Sequence, residues 1–199
     1  MRERARVIAR PLSSDILPMG PGPAGPAPDN GRITESGTFT VAGLYGPTRL
    51  RVNLPDDWTV ESIQLDGRDV IDEAIEARSG ETLANLQVFI TSKINVVAGA
   101  VTDATGAATS DGSVLIFADD ARKWMDDSRF VRSARPDQQG TFQIKGLPPG
   151  DYLAVALEYV EDGSWNDPEY LESIRRYAQR VKLGDSGSQT LALKLVSPQ

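Results

Sequence analysis

An eight-residue pattern that occurs twice constrains this sequence more than any other feature. Gly37–Leu44 (GTFTVAGL) and Gly140–Leu147 (GTFQIKGL) share Gly, Thr, Phe, Gly and Leu at matching positions, and Val41 corresponds to Ile144. The second copy starts 103 positions after the first, which is close to the length of one small domain. Alternating apolar residues between two glycines are typical of a half-buried β-strand bounded by tight turns. The repeat therefore predicts two small β domains in tandem.

The composition favours a folded chain without a catalytic centre. Its 199 residues are 40% hydrophobic and 25% charged, which is ordinary for globular proteins. The net charge of -7 argues against a nucleic-acid partner, because binding to phosphates requires clustered Lys and Arg. With 0 Cys and 0 His, the sequence lacks thiolate nucleophiles, the usual general base near neutral pH and the most frequent zinc ligand. No catalytic residue, cofactor or metal site is predicted.

Short alternating apolar runs separated by turn residues define the expected strands. They indicate an all-β fold of two tandem Greek-key (prealbumin-like) β-sandwich domains, residues 1–93 and 94–199, the second with a short helical insertion. Asp66-Gly67 is a strong signal for a two-residue hairpin turn. The expected strands are Val7–Arg10, Thr38–Val41, Thr48–Val52 and Ser62–Leu65 in the first domain, and Val96–Val101, Val114–Phe117, Phe142–Ile144 and Tyr152–Ala156 in the second.

Two segments depart from the strand pattern. Asp167 can cap a helix that starts at Pro168, and Leu171, Ile174 and Ala178 then share one face, so a short helix is expected there. The tract from Pro18 to Pro28 is rich in Gly and Pro and cannot sustain a helix or a central strand. A surface loop is the expected structure of this tract, and a Pro-rich ligand for a recognition domain is the alternative.

The second domain resembles a known family over nearly its full length. Val101–Gly106 (VTDATG), Pro136–Phe142 (PDQQGTF) and Gly146–Tyr152 (GLPPGDY) closely resemble the carboxypeptidase regulatory-like domain, a transthyretin-like or Cna-B-like β-sandwich abundant in exported bacterial proteins. The stretch around Trp165–Leu171 is similar to the C-terminal segment of large multi-repeat bacterial proteins that contain this domain. The first domain departs from the family pattern at Leu44–Pro47, which reads LYGP instead of LPPG.

The two domains are unequal in their strands. The second has a strand around Val96–Val101 before the one at Val114–Phe117, whereas the first can supply only Val7–Arg10 ahead of its repeat. The first domain is therefore expected to lack its opening strand. Two explanations stay open: Met1 lies inside a longer natural protein, or another element completes the sheet edge, because an unpaired apolar edge promotes aggregation.

Trp124, Trp165 and Tyr170 are the candidate contacts for a ligand or partner. Aromatic side chains combine a large apolar area with a polar tip, which suits stacking on a sugar or gripping a protein. The alternative is that these side chains plug the ends of the sandwich or cover the helix. The same alternative applies to Trp58 at the start of a strand of the first domain.

Three other chemistries are weaker interpretations. The carboxylates that flank Trp124 could hold calcium, but their spacing does not match an EF-hand, and a solvated acidic loop is the simpler expectation. A glycosidase needs only two well-placed carboxyls, yet nothing in the sequence fixes the separation of the candidate acids. An isopeptide crosslink needs a Lys facing Asn or Asp across a buried acid, and no partner stands out for Lys93 or Lys194. The acids concerned are Asp119, Asp120, Asp126 and Asp127 for calcium, and Glu158, Glu161, Asp162 and Asp167 for glycoside hydrolysis.

The first functional hypothesis is a structural or protein-interaction module of a larger exported or cell-surface protein, as the resemblance implies. Its partners would be other domains of the same polypeptide or a surface protein. The alternative is a carbohydrate-binding module that uses the loop tryptophans. Export is implied only by the resemblance, because Met1–Ile8 lacks the apolar core of a signal peptide and no run is long enough for a membrane-spanning helix.

Overall fold

The computed structural model describes residues 5–12, 31–42, 44, 46–76, 78 and 81–197. It is mostly β-strand with one short α-helix, which confirms the all-β prediction. The chain divides into two compact units, unit 1 (Met1–Ser92) and unit 2 (Lys93–Gln199). The elements are β1 (Arg6–Pro11), β2 (Thr48–Asn53), β3 (Thr59–Leu65), β4 (Arg68–Asp69), β5 (Leu86–Thr91), β6 (Asn95–Thr102), β7 (Ser113–Ala118), β8 (Val131–Ala134), β9 (Thr141–Lys145), β10 (Gly150–Leu157), α1 (Pro168–Ile174), β11 (Gln179–Leu183) and β12 (Gly187–Val196).

Unit 2 is a sandwich whose two halves share the long strand β12. The strand order is β8-β7-β10-β12-β6-β9. The edge of β10 opposite β7 pairs with β11 along residues 150–154 and with β12 at residues 156–157. Gly187–Lys194 of β12 pairs in parallel with β6, and its last residues, Leu195 and Val196, pair in parallel with β10. Because β12 passes from one sheet to the other, the apolar faces of both sheets meet in one core. That core includes Val97, Val101, Val114, Ile116, Phe142, Ile144, Tyr152, Ala154, Val181, Leu183, Leu191 and Leu193.

The turn before β9 shows how the repeated sequence produces its local structure. The Asp137 carboxylate accepts hydrogen bonds from the backbone N–H of Gln139 at 3.0 Å and of Thr141 at 2.8 Å. Gly140 has φ 74, in the left-handed region that favours glycine. A Cβ at Gly140 would also lie 2.8 Å from the carbonyl oxygen of Val101. The strand that follows, Thr141–Lys145, alternates between exposed and buried residues, as its sequence predicts.

The helical insertion covers the outer face of the sheet formed by β7 and β10. Asp167 accepts a hydrogen bond from the Glu169 N–H at 2.9 Å, and Pro168 opens the helix, as expected. Leu171 and Ile174 are buried in a second core, whereas Ala178 lies beyond the end of α1 and is half-buried against that core. The strands β7 and β10 are therefore buried on both faces. The second core includes Leu115, Phe117, Trp124, Val131, Leu153, Val155, Leu157, Val160, Leu171 and Ile174.

Unit 1 places a two-stranded sheet, β1-β2, and a three-stranded sheet, β4-β3-β5, around a smaller core. The Asp66-Gly67 hairpin between β3 and β4 is confirmed: both residues have positive φ, 51 and 81, as a type I′ turn requires. The buried residues of this core are Val7, Leu50, Ile63, Val70, Ile71 and Ile75.

The expected strand at Thr38–Val41 is wrong, because these residues belong to no sheet among the described residues. The turn before it is conserved between the two copies. The Thr34 N–H donates to the Thr38 carbonyl at 2.8 Å and the Gly37 N–H donates to Thr34 at 2.9 Å, while the same two bonds form around Asp137 in unit 2. A strand exists only when it is paired, and the described residues of unit 1 supply no neighbour like β6, which pairs with β9. The tract from Pro18 to Pro28 lies outside the described residues.

Candidate functional site

Trp124 lies in the loop between β7 and β8 and is a core residue. A short 3-10 turn, Ala121–Lys123, precedes it and turns the indole back over the sheet. The side chain is 2% exposed, its Nε1–H donates to the carbonyl oxygen of Ala118 at 2.6 Å, and its ring meets Phe117 edge-on at 5.5 Å. In this position the indole has no open face on which a ligand could stack.

Trp165 and Tyr170 contact the same second core from the helical insertion. Trp165 lies in a 3-10 turn, Ser164–Asn166, and Tyr170 lies in the first turns of α1. Both are half-buried, and burial raises the pKa of the Tyr170 hydroxyl. The structure thus brings the three predicted residues together, but around an apolar core and not as an exposed platform. A ligand-contact role for the two half-buried residues stays a prediction.

Arg175 fastens the insertion to the loop that carries Trp124. Its guanidinium forms an ion pair with the Asp119 carboxylate and donates to the Asp119 carbonyl oxygen at 2.9 Å. It also pairs with Glu172 at 3.3 Å, and its Cζ lies 5.8 Å from the centre of the Trp124 ring. Arg175 was not predicted from the sequence, because its partner Asp119 is 56 residues away and no local pattern marks a pair of this kind.

The acidic loop around Trp124 is partly neutralised by its own Arg122. Asp120 accepts hydrogen bonds from the Arg122 side chain at 2.9 and 2.8 Å, and this guanidinium lowers the pKa of Asp120 to about 2. Within the described ranges, no group of three or more His, Cys, Asp or Glu side chains could together hold a metal ion. Lys93 and Lys194 are exposed, unlike the buried lysine that an isopeptide crosslink requires.

Unit 1 contains a groove that was not predicted from the sequence. It has a volume of about 1020 Å³ and runs between the segment 37–42 and the segment 81–86. The core residues Leu50 and Ile75 form part of its floor. Phe39 and Val41, the apolar residues of the first repeat copy, line the groove and are only half-buried. The sequence signal that bears on the groove is the prediction that the first domain lacks its opening strand.

Several solved structures are similar to this chain at low sequence identity. No family model matches the sequence, and no curated protein matches it. A streptococcal ancillary pilin is 12% identical with a TM-score of 0.37, and the match covers 63% of this chain and 39% of the pilin. A pilus 2b backbone protein of group B streptococcus is 13% identical with a TM-score of 0.31, and the match covers 59% of this chain and 45% of the pilus protein.

A catechol 1,2-dioxygenase from Acinetobacter is 11% identical with a TM-score of 0.30, and the match covers 51% of this chain and 52% of the dioxygenase. The chain thus spans less than two thirds of the length of each of these proteins. All three TM-scores are below 0.5, so these likenesses carry no argument about activity, ligand or partner. Among the described residues, no helix is long and apolar enough to cross a membrane.

Proposed function

We propose that this chain is a non-catalytic structural or protein-interaction module of a larger exported or cell-surface bacterial protein. The observation that carries the proposal is the second core of unit 2, where Trp124, Leu171 and Ile174 seal the outer face of β7 and β10. Function depends on sites and not on folds, and here the loop and the insertion that could form a site pack together. Their packing stiffens the domain.

The kinship we infer is with the carboxypeptidase regulatory-like domain, a transthyretin-like sandwich. The residues that carry the resemblance have structural roles in unit 2. Asp103 and Asp137 each accept hydrogen bonds from backbone N–H groups in tight turns, and the Tyr152 hydroxyl donates to the Pro148 carbonyl at 2.8 Å. A domain of this kind spaces or docks its neighbours, so the partners are other domains of the same polypeptide or a surface protein, and the location is outside the cytoplasm.

The alternative function, carbohydrate binding, has less support from the geometry. It needs exposed aromatic faces, and Trp124 offers none. Trp165 and Tyr170 retain part of their surface, so they are the residues on which this alternative depends.

A binding screen with matched aromatic variants tests the proposal. The full chain, W165A and Y159A are applied to a glycan array and to the cell-envelope fraction of the producing bacterium. Tyr159 is 78% exposed and serves as a control outside the second core. We expect that none of the three proteins binds or hydrolyses a glycan. All three should capture the same envelope partner if the module docks to a surface protein, and none should capture a partner if the module is a pure spacer.

Two results would contradict the proposal. A glycan signal that W165A loses and Y159A keeps would favour the carbohydrate-binding alternative. A protein that a membrane-impermeant amine reagent labels only after the cells are lysed would contradict an extracytoplasmic location.

A further inference from the structure

The apolar residues of the two repeat copies differ in burial. Phe142 and Ile144 of unit 2 are 5% and 4% exposed, whereas their counterparts Phe39 and Val41 are half-buried. In unit 2 the cover is β6, which pairs antiparallel with β9 so that Gly99 lies opposite Phe142. A Cβ at Gly99 would lie 3.0 Å from the Phe142 ring, which shows how closely this strand approaches. Among the described residues of unit 1, no strand pairs with the segment 38–42 in this way.

The contacts of β6 in unit 2 correspond to the lining of the groove in unit 1. The Asn95 side-chain amide at the start of β6 donates to the carbonyl oxygens of Leu147 at 3.2 Å and Gly184 at 2.7 Å. The residue 103 positions before Leu147, within the repeat, is Leu44, and it lines the groove. One carbonyl group that holds the first residue of β6 therefore has a counterpart at one end of the groove.

The other end and the far wall of the groove correspond in the same way. Near the end of β6, the Val101 N–H donates to the Gly140 carbonyl at 2.8 Å, and the counterpart of Gly140 is Gly37, which lines the groove. Residues 187–189 of β12 pair in parallel with residues 95–97 of β6, and their counterparts 84–86 form the far wall. The groove therefore lies where a strand paired like β6 would lie in unit 1.

We propose that the groove of unit 1 receives an eight-residue β-strand that is joined to the N-terminal side of β1. This strand runs antiparallel to residues 38–42 and parallel to residues 84–86. The connection between this strand and β1 corresponds to that in unit 2, where the ten residues 103–112 join β6 to β7. The strand β1 is the counterpart of β7, because each pairs antiparallel with the strand that follows the repeat. The inference deepens the proposed interaction module and rests on it.

The geometry also specifies the chemistry of the incoming strand. Val97 and Val101 of β6 are 0% exposed, so the incoming strand carries β-branched apolar residues at these two inward positions. A residue as small as glycine lies opposite Phe39, as Gly99 lies opposite Phe142. An Asn or another amide donor at the first position would donate to the Leu44 carbonyl group, as Asn95 donates to that of Leu147.

The sequence of residues 13–30, which lie outside the described residues, does not favour this segment as the occupant. Residues 13–30 contain a run of prolines from Pro18 to Pro28, and proline cannot donate to the hydrogen-bond ladder of a central strand.

A strand graft in the full chain tests the proposal. A copy of residues 95–112 is inserted directly before Ala5, which corresponds to Ser113 at the start of β7. Hydrogen exchange of the segment 37–42, measured by mass spectrometry, is expected to slow at least about tenfold on grafting, because paired amides are protected. In a control graft, the copies of Val97 and Val101 are replaced by Asp, and we expect this graft to give no protection.

The groove itself supplies a second pair of variants. V41D in the grafted chain places a charge on the half-buried apolar wall and is expected to abolish the protection, whereas T40D at the exposed neighbouring position is expected to retain it. Equal exchange in the grafted and ungrafted chains would overturn the proposal, as would equal protection by the control graft.

A concentration-dependent dimer of the ungrafted chain in which segment 37–42 is already protected would identify a second copy as the occupant. That result would overturn the N-terminal strand. Failure of the graft leaves the glycan and envelope results of the proposed function unchanged, so the two failures are distinguishable.

Discussion

Removing the Trp124 side chain tests the second core of unit 2 most directly. The side chain is 2% exposed, and a buried tryptophan of about 200 Å² at about 25 cal/mol per Å² corresponds to roughly 5 kcal/mol as an upper estimate. Aromatic-to-alanine substitutions in cores cost about 3–5 kcal/mol, so we expect W124A to lower the free energy of unfolding of unit 2 by about 4 kcal/mol. W124F keeps an aromatic ring against Phe117 but leaves the Ala118 carbonyl without its indole donor, and we expect a loss of about 1–2 kcal/mol.

The assay is urea unfolding followed by far-UV circular dichroism, combined with hydrogen exchange of α1 so that the loss is assigned to unit 2. Y159A removes an aromatic ring that is 78% exposed, and it should change the free energy of unfolding by no more than about 0.5 kcal/mol. A loss of less than about 1 kcal/mol for W124A, similar to that of Y159A, would refute the placement of the indole in the core. The loop tryptophan would then be available to a ligand.

Three further predictions concern single groups of unit 2. D167A removes the cap of α1 and should cost about 1 kcal/mol, seen as faster exchange of the first helical amides, whereas D167N should cost less. The carboxyl of Asp120 should titrate by NMR with a pKa of about 2, below the ordinary 3.8. Because the pKa is lower in the folded state, the ionised carboxylate stabilises the fold above pH 3.8, and this stabilisation is lost as the pH falls towards 2. R122Q should raise the pKa of Asp120 back towards 3.8. G112A should lower the melting temperature more than G106A. Both glycines have positive φ, but a Cβ at Gly112 would lie 2.3 Å from the Leu157 carbonyl oxygen, whereas one at Gly106 would have no atom within 4 Å. Equal shifts of the melting temperature would contradict the close approach of Leu157 to Gly112.

Elements that local chemistry determines could be predicted from the sequence. Asp66-Gly67 gave the hairpin of unit 1, because two adjacent residues with positive φ are tolerated there. Asp167 and Pro168 gave the start of α1, because capping and a fixed φ act within one turn. The strands β5, β8, β11 and β12 were not predicted. In β8 and β11 the alternation of apolar residues is weak. Their weak alternation becomes a strand only through pairing with β7 and β10.

The candidate site could not be predicted in the same way. Nothing in the sequence around Trp124 distinguishes an indole that binds a ligand from one that packs over Phe117. The side chain is buried because an insertion far along the chain, carrying Leu171 and Arg175, folds back over it. Contacts between segments this distant depend on tertiary packing, which propensity and periodicity do not encode.

The two repeat copies separate the local from the non-local contribution to one structure. Gly37 and Gly140 both have positive φ, and the turns before them form the same pair of backbone hydrogen bonds, with Thr34 in place of Asp137. Only the second copy continues as a sheet strand, because β6 supplies the neighbour that turns an alternating sequence into a ladder. Eight nearly matching residues therefore encode the turn in both units but the strand in only one. This difference is what a strand grafted ahead of β1 would remove.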